Sequence, residues 1–208
     1  MSIQRLDPAP AGATLYVTDG QFAEAVVSAC QRPGDQVISS NAKIEEGWLR
    51  EFDVVVAIGC SHHKNLLEAL DRICFRIGIP HLMLDLAPTK LRCGPMFRPG
   101  TGPCYQCYQK RIKQHHNLEP VTEEVRPSEG FAPFHVSLAQ GLMQLSLAEI
   151  ANATAPTQRG SVLVVDLVTG SPSRATVLPT NGCDRCSEPI SSIQDYESAW
   201  LNFINGRY

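Results

Sequence analysis

"DVVVAIGCSHHKNLLEALDRICFRIGIPHLMLDL", Asp53 to Leu86, contains the alternation that decides the fold. Its opening, "DVVVAIG" (53–59), is a continuous apolar run of the kind a parallel strand shows when both its faces are covered. Over 63–78 the period changes. Leu66, Leu67, Leu70, Ile73, Cys74 and Ile77 recur at helical spacing, and Gly78 closes the run. "IPHLMLDL" (79–86) is then another buried strand.

The same alternation extends upstream. "TLYVT" (14–18) reads as a short buried strand, a Gly turn follows, and Phe22, Val26, Val27 and Cys30 repeat at helical spacing before a further strand, "QVISS" (36–40). Strand, helix and strand in this order require right-handed crossovers. The expected fold class is therefore α/β: a Rossmann-like, mostly parallel sheet with helices on both faces. Downstream, "TKLRCGPMFR" (89–98) reads as a strand that leaves the parallel pattern, and 117–133 as a long surface loop, a candidate contact site. Residues 134–153 form a helix apolar nearly all round, to be buried against the sheet or against another subunit. "SVLVVDLVTG" and "SRATVLPT" make a strand pair turning near Thr169 to Pro172, and the tail "DYESAWLNFINGRY" a short helix or an arm.

At 208 residues the chain suits one domain (1–208), with a Rossmann-like half at 14–88, a cysteine-containing half at 89–187 and an arm at 188–208. A net charge of -3 lacks the basic footprint that tracks nucleic-acid phosphates. No secretory signal and no apolar stretch of membrane-spanning length is visible, so a cytoplasmic protein with no membrane partner is expected.

Eight cysteines, at 30, 60, 74, 93, 104, 107, 183 and 186, divide by spacing. Cys30 and Cys74 fall inside apolar helical patterns and read as small buried hydrophobes. Cys104 and Cys107, in "TGPCYQC", and Cys183 and Cys186, in "TNGCDRC", are two C-x-x-C pairs, each after a tight turn that points both sulfurs one way. Together they are expected to hold one structural Zn2+. Four thiolates close the tetrahedral shell, so such an ion staples the chain and does not activate water.

A Rossmann-like half, then "LRCGPMFRPGTGPCYQCY", then "VLPTNGCDRC" resembles the ThiF/MoeB family of ubiquitin-activating-type adenylating enzymes. Within it, "GPMFRPGTGPCYQCYQKR" is most similar to the divergent cyclodehydratase-partner and leader-peptide-binding proteins that assist azole formation in ribosomal peptides beside a YcaO enzyme. The resemblance covers about residues 14 to 187. It implies a zinc-bound double C-x-x-C, a pairing of chains as homodimer or heteromer, and a YcaO-type cyclodehydratase as partner.

The departures from the family bear on function. Where adenylating members have a glycine-rich turn that lets backbone N–H groups approach phosphates, this chain reads "TDGQFAEA", with Gly20 alone. Where the family places an Asp for magnesium, it reads "GCSHH" (59–63), and neither Cys60 nor Ser61 replaces a carboxylate on a hard cation. ATP chemistry by this chain alone is not expected, and no catalytic residue is assigned. Residues 1–13 leave no room for the family's winged-helix extension, so precursor peptide is expected to be reached through a partner.

The expected function is a noncatalytic zinc-containing subunit of an azole-forming complex. The alternatives are a divergent adenylating enzyme acting on a peptide or sulfur-carrier C-terminus, and a zinc-stapled binding module. His62 and His63, at a strand's C-terminal end, either bind a substrate or second metal or are polar residues starting a helix. Cys60 beside them invites a nucleophile–base pair without an identifiable orienting group. His115 and His116 read as solvated residues at a helix C-terminus. Asp85 is either a polar group in the crevice or a turn former.

Overall fold

Thr14–Thr18 form strand β1, every residue of which is buried. It lies between β2 (Gln36–Ser39) and β3 (Val54–Ile58), and β3 in turn pairs with β4 (His81–Ala87), all parallel. Helices α1 (Gly20–Cys30), α2 (Glu46–Leu49) and α3 (Lys64–Ile77) connect these strands. The computed structural model describes residues 12–42, 44, 46–60, 62–100, 102–116, 130–151 and 160–186. The expected tail helix or arm and most of the 117–133 loop lie outside them.

The "mostly parallel" expectation holds for half of the sheet. Its order is β2-β1-β3-β4-β5-β6-β7, and from β4 onward β5 (Lys90–Phe97), β6 (Ser161–Asp166) and β7 (Pro172–Thr176) pair antiparallel. Chain length supplies the reason. Ala87 pairs with Lys90, so only Pro88 and Thr89 separate the strands, whereas a parallel crossover needs roughly a dozen residues or more. The strand pair read at 161–180 is this β6–β7 hairpin.

Helices cover both faces, as expected. On one, α1 buries Phe22, Ala23, Val26 and Val27 beside Ala139 and Met143 of α5 (Pro133–Ala151), over Val56, Ile58 and Leu84. On the other, α3 buries Leu67, Leu70 and Cys74 with Leu49 of α2 and Tyr105 of α4 (Tyr105–His116), over Val55, Ala57 and Met83. The 14-residue α3 ends where its sequence says it must. Gly78 takes a left-handed φ of 82°, closed to most side chains, and Ile79 donates its N–H back to the Cys74 carbonyl. The apolar helix α5 lies against α1 and β5, while its far side leaves Phe134 and Leu145 exposed. No helix among the described residues is long and apolar enough to cross a membrane.

Candidate metal centre

The two C-x-x-C pairs meet in space. Pro103 and Cys104 precede α4, which puts Cys104 just before the helix and Cys107 in its first turn, on one side. Cys183 and Cys186 come from a turn after β7. Sulfur separations are 3.9 Å for Cys104–Cys107, 3.6 Å for Cys104–Cys183 and 3.2 Å for Cys107–Cys186. A tetrahedral shell with Zn–S bonds of about 2.3 Å sets its sulfurs about 3.8 Å apart. All eight cysteines are free thiols, and all four donor sulfurs of this cluster lie within 4.8 Å of one another. The donor set can hold a metal ion, and its size and softness suit a four-thiolate zinc site.

Electrostatics separate Cys107 from Cys104 and Cys186. Burial pushes Cys104 up to about 11 and raises Cys186 as well. Burial acts upward on Cys107 too, but the Thr180 hydroxyl and N–H, each 3.3 Å from its sulfur, and the neighbouring thiols bring it down to about 6. Thr180 thus favours the thiolate form of Cys107. Cys60, Cys74 and Cys93, by contrast, are each pushed up to about 12, chiefly by burial. They are packing residues, as expected for Cys74; Cys30 is only half-buried.

The cluster is anchored by residues the sequence did not single out. Asp71, on α3 and 1% exposed, accepts the Tyr105 N–H at 3.1 Å at the start of α4 and faces His81 Nε2 of β4 at 3.0 Å. Its other oxygen accepts from Arg185, inside the second C-x-x-C, at 2.6 Å. Arg185 also donates to the Asp71 carbonyl at 3.1 Å and lies 5.2 Å from the Phe75 ring centre. Burial alone would raise Asp71, but His81, Arg185 and the Tyr105 N–H together hold it below the usual carboxylate range. One carboxylate thus joins α3, β4, α4 and the second cysteine turn. Arg111 of α4 adds a latch to the Leu178 and Pro179 carbonyls, at 3.4 and 3.1 Å.

A second cluster, Asp19, His62 and His63, lies at the C-terminal ends of β1 and β3. The chain turns one way from β1 into α1 and the other way from β3 into α3, so the crevice between their C-terminal ends is a topological switch point, where open α/β sheets bind ligands. Asp19 follows β1 and His62 and His63 follow β3. His62 Nε2 is 2.9 Å and His63 Nε2 3.4 Å from the Asp19 carboxylate. Cys60 does not join them as a nucleophile: it is 1% exposed, its sulfur 3.4 and 3.6 Å from the Ile58 and Val17 carbonyls, and burial keeps it protonated. Ser61 lies outside the described residues. Asp85 is a buried residue within β4 and not a turn former. His115 and His116 are the last described residues of α4.

Solved structures share this fold. A heterocyclase in complex with substrate and cofactor superposes with a TM-score of 0.61 at 15% identity, over 86% of this chain and 26% of that one. The microcin synthetase McbBCD complex of E. coli gives 0.58 at 13% identity, over 88% and 71%. MccB of E. coli with ATP gives 0.57 at 13%, over 86% and 68%. The chain spans only 26% and 31% of two heterocyclases it matches. No family model matches the chain, and no curated protein matches it. The fold is shared with these heterocyclase, microcin synthetase and MccB structures.

Proposed function

We propose that this chain is a noncatalytic, zinc-containing ThiF-like subunit that assists a YcaO-type, ATP-dependent cyclodehydratase in forming azoles on a ribosomal peptide. The observation that carries the reading is the state of the switch-point crevice. Proteins that use a glycine-rich turn bind phosphates at the N-terminus of the helix after the first strand. Here the Asp19 carboxylate stands at that position, immediately before α1, and like charge opposes a phosphate there. The rest of the scaffold supports a structural role: the parallel strands β1 to β4, the antiparallel strands β5 to β7 and the four-cysteine cluster.

The likeness of fold to a heterocyclase and to the McbBCD complex supports the choice of azole-forming chemistry. Zn2+ on Cys104, Cys107, Cys183 and Cys186 supplies structure, since a closed shell of four thiolates has no position for substrate. Phe134 and Leu145, exposed on α5, offer apolar surface for pairing with a second copy or with a fuller homologue. The precursor peptide reaches the complex through the partner, in the cytoplasm.

The test is reconstitution. Chain, ATP, magnesium and a candidate precursor peptide together release neither phosphate nor pyrophosphate, while adding the chain to a YcaO enzyme raises azoline formation on the peptide. Stoichiometric pyrophosphate release by the chain alone would instead identify an adenylating enzyme.

A further inference from the structure

The crevice residues do more than exclude a nucleotide. Asp19 occupies the N-cap position of α1, where an Asp side chain ordinarily accepts an N–H from the helix's first turn. It makes no such bond. Its carboxylate accepts the Ser40 hydroxyl at 2.8 Å from the end of β2 and faces the Nε2 atoms of both histidines. A cap given up calls for something that uses the carboxylate elsewhere.

The backbone fixes the three side chains together. Asp19 donates its N–H to the Ile58 carbonyl, Gly59 donates to Leu84, and His63 donates to Cys60. Gly59 has a φ of 72°, and a Cβ there would lie 2.4 Å from the Asp19 carbonyl oxygen. Only glycine lets the turn after β3 come this close to the turn after β1. The two imidazole rings consequently lie 4.1 Å apart, centre to centre, and one donor atom from each of Asp19, His62 and His63 falls within 4.8 Å of the other two.

We propose that Asp19, His62 and His63 form a second metal site, open on one side, for a divalent transition-metal ion of the zinc class. Two imidazoles and a carboxylate are the donor set such ions take when one position is left to water or substrate. Ligand atoms about 2.0–2.1 Å from a tetrahedral ion are about 3.3 Å apart, close to the 2.9 and 3.4 Å found between the histidine nitrogens and the carboxylate. Each Nε2 lone pair is free for the ion once the ring proton sits on Nδ1. Ser40 is the outer partner that orients the carboxylate. The three side chains are 26–35% exposed, so an ion and a further ligand can reach them. The site uses the same Asp19 carboxylate whose charge opposes a phosphate in the metal-free crevice, so the two readings share a residue while their tests differ; its chemistry differs from that of the cysteine cluster in being unsaturated.

The experiment is a Co2+ titration of the full chain followed by absorption, with metal content measured after dialysis. Two ions per chain are expected. One gives intense thiolate-to-metal charge transfer from the four cysteines, and the other gives weak ligand-field bands without it. The pair His62→Gln and His63→Gln removes the second ion and leaves the charge-transfer band intact. Ser40→Ala weakens the second ion on the order of 10- to 100-fold. A wild-type chain that takes only the thiolate-bound ion overturns the proposal, as does a second ion whose affinity is the same in the double variant. Neither result bears on azoline formation, so the two readings fail separately.

Discussion

The two side-chain clusters handle polar groups in opposite ways. At the cysteine cluster, Cys104, Cys107 and Cys183 are at most 2% exposed, with Thr180 turned onto Cys107 and Arg185 onto Asp71. At the switch-point crevice, Asp19, His62 and His63 turn toward one another but remain about a third exposed. The difference teaches how one fold separates cohesion from contact. Buried donors that saturate one another hold segments distant in sequence, whereas half-exposed donors at the C-terminal ends of strands stay available to a ligand.

The contrast is most severely tested at the cysteines. Cys107→Ser, or prolonged chelation, is expected to release the turn at 181–186 from α4 and to cost several kcal/mol, lowering the melting temperature by about 10 °C or more in a chain of this size. Scanning calorimetry with and without chelator measures it, and an unchanged melting temperature would break the assignment of cohesion to this cluster.

Asp71→Asn should follow in size. Removing the charge leaves Arg185 without its carboxylate and costs about 3–5 kcal/mol, the usual penalty for breaking a buried pair. Urea unfolding reads the loss, and faster metal release to a chelator shows that the anchor serves the cluster. The effect carries a pH signature. Because the folded carboxyl is held below its ordinary value, its contribution is complete above the unfolded value of about 3.9 and is lost as the pH falls on through the folded one. The difference between wild type and Asp71→Asn therefore narrows below about pH 4.

The smallest expected effect lies at the crevice. His62→Gln with His63→Gln should move stability by no more than about 0.5 kcal/mol, since both rings are exposed enough to be replaced without a cavity. A loss as large as that of Asp71→Asn, by the same urea measurement, would make the crevice a second staple and erase the contrast.

What the sequence made legible follows from how local each signal is. The Val/Ile run of β3, the amphipathic period of α3 and the spacing of both cysteine pairs are each contained in a few consecutive residues. In the antiparallel half the β6–β7 hairpin was legible from its turn, but β5 only as a departure at 89–98, because its direction depends on the two-residue connection at Pro88 and Thr89 and not on the strand's own composition. Asp71 was hidden. On a helix it reads as a surface acid, and only the fold brings Arg185, 114 residues away, onto it. Asp19 was masked for the opposite reason: an Asp before a helix reads as a cap, and that it caps nothing is visible only in three dimensions. Its one local signal was the pair of adjacent histidines, which names no partner.

Nucleotide binding decides most directly whether the crevice has left adenylation behind. Calorimetric titration of ATP with magnesium into the zinc-loaded chain, before and after adding a YcaO partner, is expected to show no heat of binding for the chain alone and saturable binding once the partner is present. Saturable ATP binding by the isolated chain, abolished by adding bulk at Gly20, would mean that phosphate is accepted beside Asp19 after all and would contradict a noncatalytic role.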